Sequence, residues 1–235
     1  KIAIENLADI VFERCEAYAC HHDGEVKGIV EFIFKRRAEE FNRLIRERME
    51  EAGYEIFLLS GTILEPRRKE IIRQIKEANN NPKIRKLLLI TTQVVEAGVD
   101  IDMDIGFKHR SLIDSDEQLA GRVNRNAKSI TATVYLFQLD QPYAIYGRDL
   151  RYRLTRDSID DQEYQDILQN KHFDLLYHRV CEYINRENSN EYIRGLSTYL
   201  DHLKYLRFSR IAREFKLISN ETVTVYVPLE IPISY

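Results

Sequence analysis

Apolar runs alternate with amphipathic segments from residue 28 to residue 139, and this alternation limits the fold more than any other feature of the chain. The strand-like runs are GIVEFIF, YEIFLLS, KLLLIT, the stretch from Asp104 to Phe107, and TATVYLFQL. Helix-like segments precede and separate them, at about residues 4–19, 36–51, 66–78, 93–97 and 117–125. Parallel strands require crossover connections, so the alternation predicts an α/β fold with a doubly wound parallel sheet. Ligands of such sheets gather at the carboxyl ends of the strands.

The pattern changes after residue 140, where long helical stretches rich in Tyr, Arg and Leu, roughly residues 161–186 and 192–215, replace the alternation. We therefore predict one domain over residues 1–140, including the N-terminal helix, and a helical accessory segment with a linker over residues 141–235. The closing sequence TVTVYVPLEIPIS alternates like a strand, but Pro228 and Pro232 restrict it to a sheet edge or a linker.

Composition restricts where the protein acts and how it meets nucleic acid. Three cysteines without framework spacing, and the lack of an apolar run long enough to span a bilayer, predict a cytoplasmic protein with no membrane partner. The chain does not begin with methionine, which suggests a piece of a longer polypeptide. Its net charge of −3 supplies no general basic footprint, so any nucleic-acid contact must be local. Basic clusters at residues 35–37, 67–69 and 83–86 are candidates.

Two segments carry residues suited to phosphate chemistry. In LLLITTQVVEAGVDID, a buried-type strand ends at Thr91 and Thr92, whose hydroxyls and backbone amides suit phosphate oxygens. In DSDEQLAGRVNRN, the offsets of four and three between Gln118, Arg122 and Arg125 predict that the three side chains share one face of a helix. An arginine aimed at a transferring phosphoryl group acts as an arginine finger.

These segments resemble motifs V and VI of superfamily-two helicases, the second in the form Q-x-x-G-R-x-x-R. GIVEFIFKRRAEEF resembles motif IV, and LLSGTILEPRR resembles the glycine-containing motif that follows it. The sequences of these motifs are most similar to those of the CRISPR-associated helicase–nuclease of type I systems. The segment FSRIAREFKLISNETVTVYVP also resembles the connector that follows the helicase core in that family. The resemblance implies a second RecA-like helicase domain, which has the fold of a P-loop NTPase without the P-loop.

The resemblance also implies roles for individual residues. Arg125 corresponds to the arginine finger, Arg122 to a second phosphate contact, and Gln118 to a group that orients water or the γ-phosphate. The remaining candidates are Gly98, Asp100 and Gly121 for nucleotide binding, and Thr92, Thr91, Arg68 and Gly61 for binding the single-strand backbone. Of these, Asp100 is similar to the family aspartate that meets the ribose and holds the finger. The family usually has Arg directly after the motif VI glutamine, whereas this sequence has Leu119.

Some of the expected machinery has no counterpart in the sequence. It contains no G-x-x-x-x-G-K-[ST], no strand leading into an Asp-Glu Mg²⁺ site, and no His-Asp nuclease cluster. The resemblance therefore implies that ATP and Mg²⁺ are held mainly by a first RecA-like domain elsewhere in the polypeptide. It implies a single-stranded DNA translocase of CRISPR antiviral defence that hydrolyses ATP, with a nuclease domain and a CRISPR surveillance complex as partners. This chain alone is expected to be inactive.

Other interpretations remain open from the residues alone. An RNA helicase of the DEAD or DEAH type is disfavoured by Leu119 and the E-A-G-V-D-I-D wording, and a non-catalytic nucleic-acid-binding module by the intact motif VI. A Ca²⁺ loop at DIDMD is disfavoured because Ile105 stands where an EF-hand needs glycine. The Cys and His residues at positions 15–22 lack a second ligand pair at zinc-finger spacing, so no metal site is predicted. Tyr199, Tyr205 and Phe208 either stack on bases or pack in a core.

Overall fold

Residues 2–61, 63–81, 83–93, 101–126 and 131–214 are described by the structure, a computed structural model. Within these residues, five parallel strands form one sheet in the order β2-β3-β1-β4-β5, which confirms the predicted α/β fold. The strands are β1 Val26–Phe32, β2 Tyr54–Leu59, β3 Lys86–Thr92, β4 Ile105–His109 and β5 Thr133–Phe137. The helices are α1 Ile4–His21, α2 Lys35–Glu51, α3 Glu65–Asn80, α4 Ile113–Ala120, α5 Tyr143–Tyr146, α6 Leu150–Ser158, α7 Asp161–Asn170, α8 Phe173–Lys204 and α9 Phe208–Glu214.

Helices cover both faces of the sheet, as a doubly wound fold requires. One face packs against α1 and α2 through buried side chains such as Val11 and Phe41. The opposite face packs against α3 and α4, which contribute Ile75 and Leu119 to a second apolar core. Both sides of β1, β3 and β4 are therefore buried, and this explains why their sequences read as continuous apolar runs.

Local signals set several of the element ends. Gly53 follows α2 with φ +85°, a conformation that a residue with a side chain rarely adopts, and β2 begins at the next residue. Pro66 lies in the first turn of α3, where its missing N–H costs no helical hydrogen bond. The helix predicted over residues 161–186 is instead divided, because Lys171 adopts a left-handed conformation between α7 and α8.

The helix predicted over residues 117–125 is wrong at both ends. It begins four residues earlier, at Ile113, and ends at Ala120, so Arg122 and Arg125 are not on it. The chain turns away after Gly121 because Val123 forms a parallel bridge with Met103, which competes with helical hydrogen bonding. The helix predicted at residues 93–97 lies outside the described residues except for Gln93, and the predicted closing strand lies outside them entirely.

Contacts within the chain define two compact units, residues 1–180 and residues 181–235. Helices α5, α6 and α7 therefore belong to the same unit as the sheet. The functional boundary after residue 140 stays a prediction. In the part of the chain that the structure describes, no helix is both long and apolar enough to cross a lipid bilayer.

Candidate nucleotide and nucleic-acid sites

The predicted nucleic-acid contacts lie at or near the carboxyl end of the sheet. Strands β2 and β3 pair in parallel with Leu59 opposite Thr91, so Gly61 emerges beside Thr92. Gly61 is exposed, whereas Thr92 is 8% exposed. Arg68 lies in the first turns of α3, where its Nη1 atom is 3.6 Å from Glu65 Oε2. This edge therefore presents a glycine backbone, a strand end and a nearby guanidinium.

Thr91 occupies a different environment from Thr92. Its side chain is fully buried, and its hydroxyl lies 2.9 Å from the carbonyl oxygen of Leu59 and 2.9 Å from that of Thr92. A hydroxyl has one proton to donate, so these two acceptors use it within the fold. Thr91 thus links the ends of β2 and β3, and it supports the strand end that carries Thr92.

The basic cluster at residues 35–37 is partly engaged inside the domain. Arg37 donates from Nε and Nη2 to the two carboxylate oxygens of Asp140, at 2.7 and 2.8 Å, and from Nη1 to Glu40 at 2.8 Å. The two-oxygen geometry is the strongest form of an arginine–carboxylate contact. Arg37 therefore joins the start of α2 to the chain just after β5.

Motif VI begins on α4 and continues beyond it. Gln118 is exposed near the end of this helix, and the next residue, Leu119, is fully buried in the core shared with α3. The position at which the resembling family usually has Arg therefore faces the interior in this chain. Leu119 contributes packing there, and a phosphate contact from this position is not available.

A short paired segment holds the two arginines after α4. The Met103 N–H donates to the carbonyl oxygen of Arg122 at 2.9 Å, and the Asn124 N–H donates to the carbonyl oxygen of Met103 at 2.6 Å. Between them, Val123 is buried against β4. Gly121 caps α4 and is exposed, as is Arg125, while Arg122 is half-buried. We call residues 121–126 the arginine loop.

Asp102 fixes the end of the arginine loop, a role that the sequence did not reveal. Its carboxylate accepts from the backbone N–H of Arg125 and from the side-chain amide of Asn126, both at 2.8 Å. The nearby Asp104 turns to another segment, because it accepts from the Lys27 N–H at 2.7 Å. The two carboxylates thus organise separate parts of the backbone. The only signal in the sequence was the alternation of buried Ile101 and Met103 with the aspartates.

The nucleotide and nucleic-acid candidates lie toward opposite ends of β1. Asp104 donates its N–H to the carbonyl oxygen of Lys27 near the start of β1, and its neighbour Met103 pairs with the arginine loop. Thr92 is in register with Phe32 at the other end of the strand. The five residue steps from Lys27 to Phe32 span roughly 16 Å at about 3.3 Å per residue. The expectation that ligands gather at the carboxyl ends of the strands therefore holds for Thr92 and Gly61, whereas the arginine loop lies toward the amino ends. Gly98 and Asp100 lie outside the described residues.

Charged residues buried beside α4 were also missed at the sequence level. Glu31 on β1 and Lys108 on β4 are in register and form a fully buried, hydrogen-bonded ion pair. On α4, Asp116 is buried and accepts from the hydroxyl of Tyr164 on α7. Burial raises the pKa of Asp116 to about 6, although Lys108 and the Tyr164 hydroxyl act to lower it. Glu31 and Lys108 interrupt apolar strands, and this was the available sequence signal.

His109 is buried on the other face of β4. Its ring stacks on Phe137 with 5.4 Å between the ring centroids, and its Nε2 atom accepts from the Leu139 N–H at 3.2 Å. Burial lowers the pKa of His109 to about 4. The imidazole is therefore neutral near pH 7, with its proton on Nδ1.

Sequence comparison finds a family that matches part of the chain. Residues 29–128 match the family described as "CRISPR-associated nuclease/helicase Cas3, C-terminal", a span that runs from β1 to just beyond Arg125 and includes every predicted site residue. A CRISPR-associated nuclease/helicase Cas3 from Methanothermobacter thermautotrophicus is 38% identical over 72 residues. Residues 29–128 are thus similar to the C-terminal part of Cas3 nuclease/helicases.

The chain matches only a small part of each of these relatives. The match to the Methanothermobacter protein covers 31% of this chain and 8% of that protein. A crystal structure of T. fusca Cas3-ATP is 20% identical and has a TM-score of 0.47, covering 74% of this chain and 24% of that one. The DUF1998 helicase MrfA bound to DNA and AMPPNP is 18% identical and has a TM-score of 0.49, covering 77% of this chain and 21% of that one.

Proposed function

We propose that this chain is the second RecA-like domain of an ATP-dependent single-stranded DNA translocase of type I CRISPR defence, and that it supplies one half of the ATP site. Four helicase motifs in order and the Cas3-like family match support this function. The observation that carries the proposal is the arginine loop, in which Asp102 fixes the backbone of the exposed Arg125.

The arginine loop suits a phosphate that arrives from outside the domain. Arg125 is exposed and Arg122 is half-buried, and their guanidinium groups fit the planar, multi-donor recognition of phosphate oxygens. The chain has no P-loop sequence and no Asp-Glu strand motif, so the triphosphate and Mg²⁺ are held mainly by a first RecA-like domain of the same polypeptide. Mg²⁺ supplies neutralisation of phosphate charge there.

Hydrolysis and movement are then linked by closure of the two domains. In the closed state Arg125 lies at the γ-phosphate and stabilises the charge that develops as the phosphoryl group is transferred. Gln118 orients water or the γ-phosphate from the end of α4. Loss of the γ-phosphate removes the charge that holds the arginine loop to the other domain, so the domains separate. Gly98 and Asp100 border the nucleotide in this proposal, with Gly121 beside the arginines.

DNA is bound at the other end of the sheet. Thr92, the backbone at Gly61 and the guanidinium of Arg68 contact the phosphates of a single strand, while Thr91 braces the strand end. The sheet is a rigid connection over the roughly 16 Å of β1 between the two groups. A nuclease domain of the same polypeptide and a CRISPR surveillance complex are the proposed partners, because the Methanothermobacter relative is named a nuclease/helicase and the motifs resemble the helicase–nuclease of type I CRISPR systems.

Replacement of Arg125 in the complete protein tests this proposal. Arg125→Ala should lower kcat for DNA-stimulated ATP hydrolysis by about 10³-fold or more, and weaken ATP binding far less, because the finger acts on transition-state charge. Arg125→Lys should behave nearly like alanine, because lysine lacks the planar fork. Arg46→Ala is the matched control. Arg46 is a half-exposed arginine that pairs with Glu50 on α2, and α2 covers the face of the sheet opposite to α4. Normal turnover by Arg125→Ala would refute the proposed half-site.

A further inference from the structure

The accessory helices α6 and α7 hold every acidic residue of α4. Arg151 of α6 donates from Nη1 to Asp114 at 2.5 Å. The hydroxyl of Tyr164 on α7 donates to Asp116. Lys171, which caps α7, donates to Glu117 at 2.5 Å. The helix that begins motif VI therefore lies between the apolar core on one side and the accessory helices on the other.

The central contact differs from the outer two in burial. Asp116 and Tyr164 are each 2% exposed, whereas the side chains of Lys171 and Glu117 are 57% and 31% exposed. The Lys171–Glu117 pair is exposed and contributes about 0–1 kcal/mol, whereas the Arg151–Asp114 pair is half-buried, with side chains that are 34% and 21% exposed. Loss of the hydroxyl donor to a buried carboxylate costs more, because water cannot replace the lost hydrogen bond there.

Tyr164 is itself held in place. The guanidinium carbon of Arg110 lies 3.9 Å from the centroid of the Tyr164 ring, and Arg110 also pairs with Asp161 of α7 at 2.6 Å. Arg110 directly follows β4. The phenol is therefore fixed between the end of a central strand and α4, and it has little freedom to follow a displaced helix.

Helix α4 depends on such contacts for its position. It has 8 residues, which is too short for a stable helix without tertiary packing. Its C-terminal end continues directly into the arginine loop, so a tilt of α4 moves the backbone from Gly121 onward.

We propose that α6 and α7 position the arginine loop through α4, and that Tyr164 is the main positioning residue. This inference rests on the proposed function, because the effect is exerted on Arg122 and Arg125. The accessory helices are then part of the ATP half-site, and a change in their position alters the rate of hydrolysis.

Removal of one hydroxyl tests the inference in the complete protein. Tyr164→Phe keeps the ring beneath Arg110 and deletes the hydroxyl, which donates to Asp116 and also contacts the Arg110 guanidinium. We expect kcat for DNA-stimulated ATP hydrolysis to fall about 10-fold, with KM for ATP and single-strand DNA affinity within about 2-fold, because a displacement near 1 Å costs up to about 10² in rate. A loss confined to KM, or no loss, overturns the proposal.

Tyr54→Phe is the matched control. The Tyr54 hydroxyl donates to Glu16 at 2.7 Å, and the residue is buried on the α1 and α2 face of the sheet. The chemical change is the same, but Glu16 is 31% exposed and also pairs with Lys86, so a smaller fall in melting temperature is expected. If Tyr54→Phe lowers kcat as much as Tyr164→Phe does, general destabilisation explains both, and the positioning role is excluded.

A double-mutant cycle identifies the path of the effect. Asp116→Ala and Tyr164→Phe remove the same contact, so the double variant should have the kcat of Asp116→Ala alone. If the decreases in kcat caused by the two single substitutions multiply in the double variant, Tyr164 does not act through Asp116. If the buried variants fail to fold, the Arg151→Ala/Lys171→Ala variant removes both outer contacts instead. It should lower kcat about 3-fold by the same displacement argument, and an unchanged kcat counts against the proposal.

The two proposals fail in different ways. If Arg125→Ala retains turnover, the proposed half-site is wrong and the positioning role falls with it. If Arg125→Ala abolishes turnover while Tyr164→Phe and Tyr54→Phe have equal kcat values, only the positioning role is wrong.

Discussion

A methyl group added at Gly106 tests whether the arginine loop must pack directly on β4. An ideal Cβ atom at this position would lie 2.9 Å from Val123 Cγ2 and 3.3 Å from Val134 Cγ2. Packed carbon atoms prefer about 3.5–4.0 Å, so Val123 must retreat by roughly 0.6–1 Å. Val123 is β-branched and has few alternative rotamers, so we expect the backbone of the loop to move with it.

The expected effect of Gly106→Ala has two parts. Overpacking of this kind destabilises a core by about 1–3 kcal/mol, which lowers the melting temperature of a domain this size by about 2–4 °C per kcal/mol. Arg122 adjoins Val123 and Arg125 follows two residues later, so both move with it. A shift of this size at a catalytic group costs up to about 10² in rate, so kcat for ATP hydrolysis by the complete protein should fall at least about 10-fold.

Two further variants separate packing from positioning. Gly28→Ala on β1 places its Cβ atom 3.1 Å from Leu88 Cδ1 and 3.2 Å from Cys15 Sγ, on the face of the sheet away from the loop. It should reduce stability and leave kcat near the wild-type value. Val123→Ala added to Gly106→Ala removes the clashing methyl group, so it should recover part of both losses. Equal kcat values for Gly106→Ala and Gly28→Ala, or no recovery in the double variant, would refute the reasoning.

Two other predictions concern DNA contact and pH. Thr92→Ala and Arg68→Ala in the complete protein should each weaken single-strand DNA binding, with little effect on ATP affinity. Filter binding across a salt series measures this, and an unchanged DNA affinity at every salt concentration would show that these residues do not contact the DNA. The pKa of His109 is about 4 in the folded protein, below its value of about 6.5 in the unfolded chain. The unfolded chain therefore gains a proton first as the pH falls, and the free energy of unfolding decreases from about pH 6.5 to about pH 4. The loss approaches roughly 3 kcal/mol, and urea unfolding at about pH 7 and pH 4.5 should show a weaker acid dependence for His109→Gln. Asp116 acts in the opposite direction in both proteins and cancels from the comparison, so parallel pH profiles would contradict the prediction.

The helicase assignment depends on residues that can be recognised without coordinates. Motif VI was identified from Gln118, Gly121, Arg122 and Arg125, and the family match covers the same span. Their roles remain proposals. The geometry changes how the roles are understood, because the arginines share a loop held by Asp102 and not a helical face.

The sequence by itself determined the order and type of the sheet's elements. Buried strands and amphipathic helices can be recognised from the spacing of apolar residues in the sequence, because that spacing depends on which face of each element is buried. Gly53 and Pro66 added local signals for an end and a start, since their backbone preferences act within one or two residues. These features need no knowledge of distant partners.

The tertiary structure decided where α4 ends and what surrounds it. Offsets of four and three permit a helix through Arg125, but the pairing of Val123 with Met103 draws the chain away after Ala120. The buried contact of Asp116 with Tyr164 likewise joins residues far apart in sequence. Each of these contacts depends on which segment the folded chain brings alongside, and local periodicity carries no information about that partner.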